Sequence, residues 1–417
     1  MSRPIAISLS PNVSSDDVRL AWYLLLVQST WKDHGVLQRA AENIAGRFPN
    51  HFVTLTSSGR QAIFDLLRSY NIKKGDEVIL QAFTCIAVPE PVIWTGATPV
   101  YADVSPGSYA INPEDIRKKI TPNTKAIILQ HTFGIPGPIE EVLAIAKEHN
   151  LVVIEDCAHA LGSTYKGKPL GTFGDAAILS FGRDKCISSV FGGAVITKDK
   201  NKAHQLQAMQ NTRRLPPSSW VLQQLLHPIL FSLVLPSYFV LGIGKVLLVA
   251  FQKLGLLSWA VSYEERQGGK PVHIEYTYSP ALAMLLLEQL KKLDDITERR
   301  LTISARYLKE LRIPTPGVGN SDIVHPYLRF PLQMANRDEL LMQAREKHML
   351  LGDWYDAALV PSASNFWAFR YIPGSCPNAE VVSKRIINLP TYPALTDTQV
   401  TNIIEYINSY VDPGNHE

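Results

Sequence analysis

The stretch from Leu151 to Thr197, LVVIEDCAHALGSTYKGKPLGTFGDAAILSFGRDKCISSVFGGAVIT, constrains this chain more than any other. It holds three short apolar runs, Leu151 to Ile154, Ala176 to Phe181 and Gly193 to Thr197, each suited to a buried strand of a largely parallel sheet. The first run leads into the acid pair Glu155-Asp156, and the second into Gly182-Arg183-Asp184-Lys185. In an open α/β sheet, ligands gather outside the carboxyl ends of the strands, so Asp156 and Lys185 are expected at one crevice.

A carboxylate and an amine delivered to one crevice have a specific use with pyridoxal phosphate. The lysine amine joins the cofactor's aldehyde, and the aspartate keeps the pyridine nitrogen protonated so that the ring accepts electrons from the α-carbon. IEDCAHALG, the Gly171-Thr-Phe-Gly-Asp175 turn, SFGRDK and FGGAV, in that order and spacing, resemble the DegT/StrS-type family of pyridoxal-phosphate-dependent nucleotide-sugar aminotransferases. The resemblance implies an aspartate-aminotransferase-like α/β fold, with a mainly parallel seven-stranded sheet flanked by helices and a smaller C-terminal α+β domain. It implies a homodimer with the site near the subunit boundary, and transfer of an amino group from an amino acid, expected to be glutamate, to a keto sugar. On this frame, residues 1–218 are the cofactor-binding domain, 219–262 an apolar helical insertion, 263–310 an inter-domain helix and 311–417 the small domain.

Each site residue has a plain explanation beside the functional one. Taken alone, Lys185 in a polar run reads as a surface charge; its place after a buried strand and before Gly192-Gly193, at the family's spacing, makes it the expected cofactor lysine. Such a lysine needs a depressed pKa, from desolvation or from neighbouring Arg183. A lysine here also sets the chain apart from the dehydratase branch, in which a histidine stands at this position. Asp156 doubles as the expected N-cap of a helix starting at Cys157, and His159 would share its face of that helix. By resemblance His159 matches the Gln or His that bonds the cofactor's phenolate oxygen, and Ser180 matches a phosphate-binding serine. His131 reads as a structural hydrogen-bonding histidine. Phe52 to Thr56, then Ser57-Ser58-Gly59-Arg60 and the helical QAIFDLLRSY, form a strand, turn and helix start of the kind that binds an anion through free N–H groups. Ser58 and Gly59 match the family's Ser-Gly-Thr with Arg60 in place of Thr, an arginine that either pairs with phosphate or turns outward.

Two further departures stand out. Where the family stacks an aromatic ring on the cofactor, in a helix expected to open at Phe83 to Ala87, this chain has Cys85, a weaker contact unless Phe83 shifts in. Where the family has Asn-Tyr-Arg, its Asn reaching the partner subunit's phosphate, this chain has Glu275-Tyr276-Thr277, leaving Tyr276 or Tyr278 to take over.

The apolar stretch from Trp220 to Val261 is longer and less polar than the family's connection there. Between Ile229 and Phe251 it carries one charge, Lys245, and one proline, Pro236. Pro236-Ser237 and Gly242-Ile-Gly244 are expected to divide it into helices of about four turns, too short to span a bilayer. A single crossing would also place the two domains on opposite sides. The expectation is therefore a hairpin in contact with one leaflet, a hydrophobic lid or a dimer surface, with Arg213, Arg214 and Lys253 able to meet anionic head groups.

The chain of 417 residues suits two domains, and 46% hydrophobic with 19% charged residues marks a folded protein. A net charge of +3 is too small to argue for nucleic acid. The four cysteines form no C-x-x-C pair, which disfavours a zinc site or a disulfide framework, and no other metal site is expected. MSRPIAISLSPN has no apolar h-region, so a cytoplasmic enzyme is expected, at most peripheral to the inner face of a membrane. Two alternatives stay open: a membrane-surface enzyme acting on a lipid-linked or non-sugar carbonyl, and a non-catalytic regulatory member of the fold.

Overall fold

Apolar residues alternate onto both faces of the central strands, so the sheet is covered on both sides. In the computed structural model, which describes residues 4–8, 10–313 and 322–411, helix α1 (Ser15–Leu26) and helix α2 (Gly35–Ala45) precede the sheet. Strand β1 (Phe52–Thr56) leads into helix α3 (Gly59–Ser69). Strands β2 (Glu77–Gln81), β3 (Thr98–Ala102), β4 (Thr124–Gln130), β5 (Val152–Asp156), β6 (Ala176–Ser180) and β7 (Gly193–Thr197) complete seven strands in the order β1-β7-β6-β5-β4-β2-β3. All run parallel except β7, which is antiparallel to both β1 and β6.

On one face Ile79, Ile127, Leu129, Val153, Ala177 and Ile196 join the core with Val36, Ala40 and Ile44 of α2. On the other, Val78, Leu80, Ile128, Ile154, Ile178 and Val195 join it with Ile63, Leu66 and Leu67 of α3. This pattern is what a sheet buried on both sides requires.

The apolar insertion forms helix α4 (Ser218–Ser237) and helix α5 (Ile243–Lys253), packed as a hairpin. The sequence expectation of four-turn helices fails for α4, which runs 20 residues through Pro228 and Pro236. Pro236 is tolerated because it falls in the last turn, one residue before the helix ends at Ser237. Helix α6 (Pro280–Lys291) and helix α7 (Leu293–Glu310) follow, and Leu282, Leu285, Leu286, Leu290 and Leu293 are all buried. Beyond residue 322, Phe330–Gln333 pairs antiparallel with Ile386–Leu389, and the helix Asp397–Asn408 begins on a Thr396/Gln399 capping box.

Two expected helices are absent. Phe83 to Ala87 opens no helix, because Phe83 turns with φ 64° and Thr84–Cys85 pairs as a short strand with Leu359–Val360. The next helix begins at Pro89, where proline suits a first turn. No helix follows Asp156 either: residues 158–162 make turns, and the Asp156 carboxylate accepts the Ala158 N–H at 3.0 Å.

Strand β7 passes so close to the start of α3 that a Cβ on Gly193 would lie 2.5 Å from the carbonyl carbon of Ser58 and 2.6 Å from the nitrogen of Gly59. Backbone cannot swing aside as a side chain can. Gly193→Ala is expected to lower unfolding free energy by about 1–3 kcal/mol, read from urea denaturation.

Candidate active site

Strand β5 ends at the middle of the sheet, and its last two residues face opposite ways. Glu155 is fully buried and points into the scaffold. It accepts N–H groups from Gly171 (2.8 Å), Phe173 (2.7 Å) and Gly174 (2.8 Å), which gives the Gly171–Asp175 turn its purpose. It also pairs with His131 Nε2 at 2.9 Å. The Gly137 N–H donates to His131 Nδ1 at 3.1 Å, so the ring proton sits on Nε2 and is given to Glu155. His131 is thus structural. Burial works to raise the Glu155 pKa, but the His131 and backbone hydrogen bonds outweigh it and hold the carboxyl below its ordinary value. Cys157 lies within reach of the same pair, and the three resemble a metal-ligand set, yet the donor atoms of His131 and Glu155 are spent on each other and on the turn.

Asp156 faces a cleft that Lys185, His159, Ser180, Ser58, Gly59, Arg60 and Cys85 also line. The eight residues singled out from sequence are therefore brought together. Burial raises the Asp156 carboxyl pKa, against which the Ala158 N–H and the Lys185 charge pull down. Burial lowers Lys185, so its amine is less basic than a surface lysine's. Arg183 is not the cause. Its guanidinium lies over the Phe191 ring at 5.4 Å and donates to the Ser258 carbonyl at 2.5 Å. The Asn12 amide donates to the Lys185 carbonyl, and Asn12 Oδ1 accepts from buried Arg300 at 2.9 Å, which fixes the turn from behind.

Burial also lowers His159 well below the usual histidine range, with Lys185 and Arg329 adding to it, so the ring is neutral. The Phe133 N–H donates to its Nδ1 at 3.3 Å, leaving Nε2 as the proton-bearing nitrogen. At the other end of the cleft Ser58 caps α3, accepting the Gln61 N–H at 3.2 Å. A Cβ on Gly59 would lie 3.1 Å from Ser180 Cβ, so glycine lets the Ser180 hydroxyl sit this near the helix start without crowding. Arg60 follows neither expected course. Its side chain is mostly buried, ion-paired to Glu265 and 3.6 Å from Glu90.

Phe83 does not enter the cleft; it is buried 5.2 Å from Tyr355. The ring beside the lysine is one that sequence reading missed. Trp354 lies 5.4 Å from Lys185 Nζ and 5.5 Å from the His159 ring, and Arg329 sits 4.3 Å from its centroid. The pairing of Thr84–Cys85 with Leu359–Val360 and the bonds of Gly352 and Trp354 to Asn388, the Trp354 N–H donating to its Oδ1 at 2.9 Å, place this loop, and such short pairings leave no sequence signal. Glu275 faces out to Lys270 at 2.5 Å, and Tyr278 bonds Ser189 at 2.6 Å; of that segment, His273 lines the cleft. Its Nε2 is buried without a partner among the described residues.

The sequence model of the DegT/DnrJ/EryC1/StrS aminotransferase family matches residues 24–218 and 252–408. The chain belongs to this family. GDP-perosamine synthase of Escherichia coli O157:H7 is 29% identical over 92% of this chain and 93% of its own. A UDP-N-acetyl-3-dehydro-alpha-D-glucosamine 3-aminotransferase of Acidithiobacillus ferrooxidans is 29% identical over 84% of this chain and 82% of its own. Among solved structures, DesV of S. venezuelae has the same fold at TM-score 0.74, 24% identity and 99% of both chains. Pyridoxal phosphate is the cofactor of this family of aminotransferases, and the fold and enzyme class expected from sequence stand. The family match skips residues 219–251, the heart of the apolar hairpin.

The residues present fit this cofactor: an amine and a carboxylate share the cleft, two hydroxyls meet at a helix start, and a buried histidine nitrogen lacks a partner. Glu155 yields a pH test. Its unfolded value is near the ordinary 4.5 and its folded value is lower, so the stability it contributes is full above 4.5 and lost as pH falls through the folded value. Glu155→Gln is expected to cost about 3 kcal/mol at neutral pH and to flatten this acid-side loss, read from urea midpoints across the acid range.

Proposed function

We propose that this enzyme moves an amino group from glutamate to a keto sugar linked to a nucleotide, as a cytoplasmic homodimer serving amino-sugar or surface-polysaccharide synthesis, with the residue 220–261 hairpin free to meet a lipid surface. The observation that carries the chemistry is the meeting of the Lys185 amine and the Asp156 carboxylate in one buried cleft. The sugar part draws on the relatives, which are named for GDP- and UDP-linked products or substrates.

Bound pyridoxal phosphate supplies an aldehyde for the lysine and a ring that draws electrons from a substrate's α-carbon. Ser58, Gly59 and Ser180 would hold its phosphate at the start of α3, where N–H groups and the helix dipole favour an anion. Asp156 would keep the ring nitrogen protonated; a cationic partner stabilises its charged form against burial. Neutral His159 would donate from Nε2 to the phenolate oxygen. Burial of Lys185 keeps part of its amine unprotonated, able first to act as nucleophile and then to carry a proton from the α-carbon. Trp354 and Tyr355 keep water from that amine. Arg329 is buried and no closer than 3.9 Å to Asp184, which leaves its guanidinium for a donor carboxylate.

Lys185→Ala is expected to abolish the visible absorbance of the purified protein; yellow protein with an unchanged spectrum would reject the assignment. Arg329→Ala is expected to raise KM for glutamate about tenfold with a smaller change in kcat, and Arg329→Lys to restore part of it. A screen of keto substrates with glutamate separates nucleotide-linked sugars from lipid-linked or non-sugar carbonyls, and light scattering of the eluted protein tests the dimer.

A further inference from the structure

Helices α4 and α5 use one side of each against the other. Leu230, Phe231 and Leu235 pack with Leu248 and Phe251. The helices touch because Gly244 has no side chain: a Cβ there would lie 2.5 Å from the Val234 carbonyl oxygen. In a water-facing hairpin the remaining side would be polar. Here it is not. Ile243, Val246 and Val249 follow at three-residue spacing along the exposed face of α5, with Leu241, 95% exposed, before them and Leu254 after. Leu233 and Trp259 extend the exposed apolar surface of the hairpin region.

Along the chain, the charge through this segment has one sign. Residues 200–263 contain six lysines and arginines and no aspartate or glutamate. Arg213 is not available to a ligand as expected from sequence, since it forms two bonds, at 2.7 and 2.6 Å, with buried Asp65. Lys245 and Lys253 remain exposed on α5 itself, beside the ridge.

We infer that this face docks on an anionic lipid surface, with the hairpin lying in one leaflet. Apolar side chains enter the acyl boundary while the lysines meet head groups, the two contributions that interfacial helices combine. A second copy of the same face would set Lys245 and Lys253 against the same lysines, which favours lipid over self-association. Helix α4 is long and apolar enough to cross a membrane, but half of its most apolar window is buried in the protein. Lys185 before the hairpin and Trp354 after it meet at one cleft, so the chain enters and leaves on the same side. The family match omits residues 219–251, so the shared catalytic fold does not require this surface. Docking also sets the site beside the lipid, because Tyr238, Phe239 and Lys245 line a cavity together with Cys85 and Trp354. The inference stands whether or not the substrate is a nucleotide-linked sugar.

The test uses the full-length protein and vesicles of phosphatidylcholine with or without phosphatidylglycerol, with no substrate present. The expected result is cosedimentation with the anionic vesicles, weakened by salt. Val246→Asp combined with Val249→Asp should lower the bound fraction about tenfold with the visible absorbance unchanged, and Lys253→Glu should weaken binding in the same direction. Wild-type protein that stays in the supernatant with anionic vesicles would overturn the inference. So would a double variant that binds vesicles as before while its dimer falls to monomers, since the face would then be a subunit contact.

Discussion

One buried carboxylate holds the catalytic end of the sheet in place. Glu155 collects three backbone N–H groups from the turn after Leu170 and the proton of His131, and so joins β4, β5 and the approach to β6. A carboxylate this deeply buried is tolerable only when its lone pairs are met by donors. Because successive side chains on a strand face opposite ways, that knot leaves Asp156 aimed at the cleft. A slip of one residue in β5 would exchange the two acids, sending the anchoring carboxylate to the cleft and the other into the scaffold.

Much of this was legible in the chain. Three apolar runs of strand length, each followed by a polar turn, place Asp156 and Lys185 at one edge, and the structure puts them at one cleft. Ser58 and Thr396 cap the helices that their sequences announce. What escaped reading was long-range. Trp354 reaches Lys185 through a two-residue pairing and contacts with Asn388, too short to print a pattern, in a stretch without periodicity. Arg60 found two buried acids, Glu90 and Glu265, neither near it in sequence. The helix expected after Asp156 gave way to turns, in which the same carboxylate captures an N–H group without any helix to cap.

The hairpin shows how an enzyme acquires a new surface without altering its catalytic parts. Its inner side completes a small core of its own with Ala6 and Leu257, and its outer side is left apolar. Residues shared with the family resume at 252, so the added helices return the chain to where the common fold needs it.

The pairing of Lys185 with Trp354 has a consequence for synthesis. The lysine leaves the ribosome long before the tryptophan that covers it. Until the segment that carries Trp354 folds back along Thr84–Cys85, that ring cannot shield the amine. The surroundings that lower this lysine's basicity are therefore complete only once chain far downstream of it has folded.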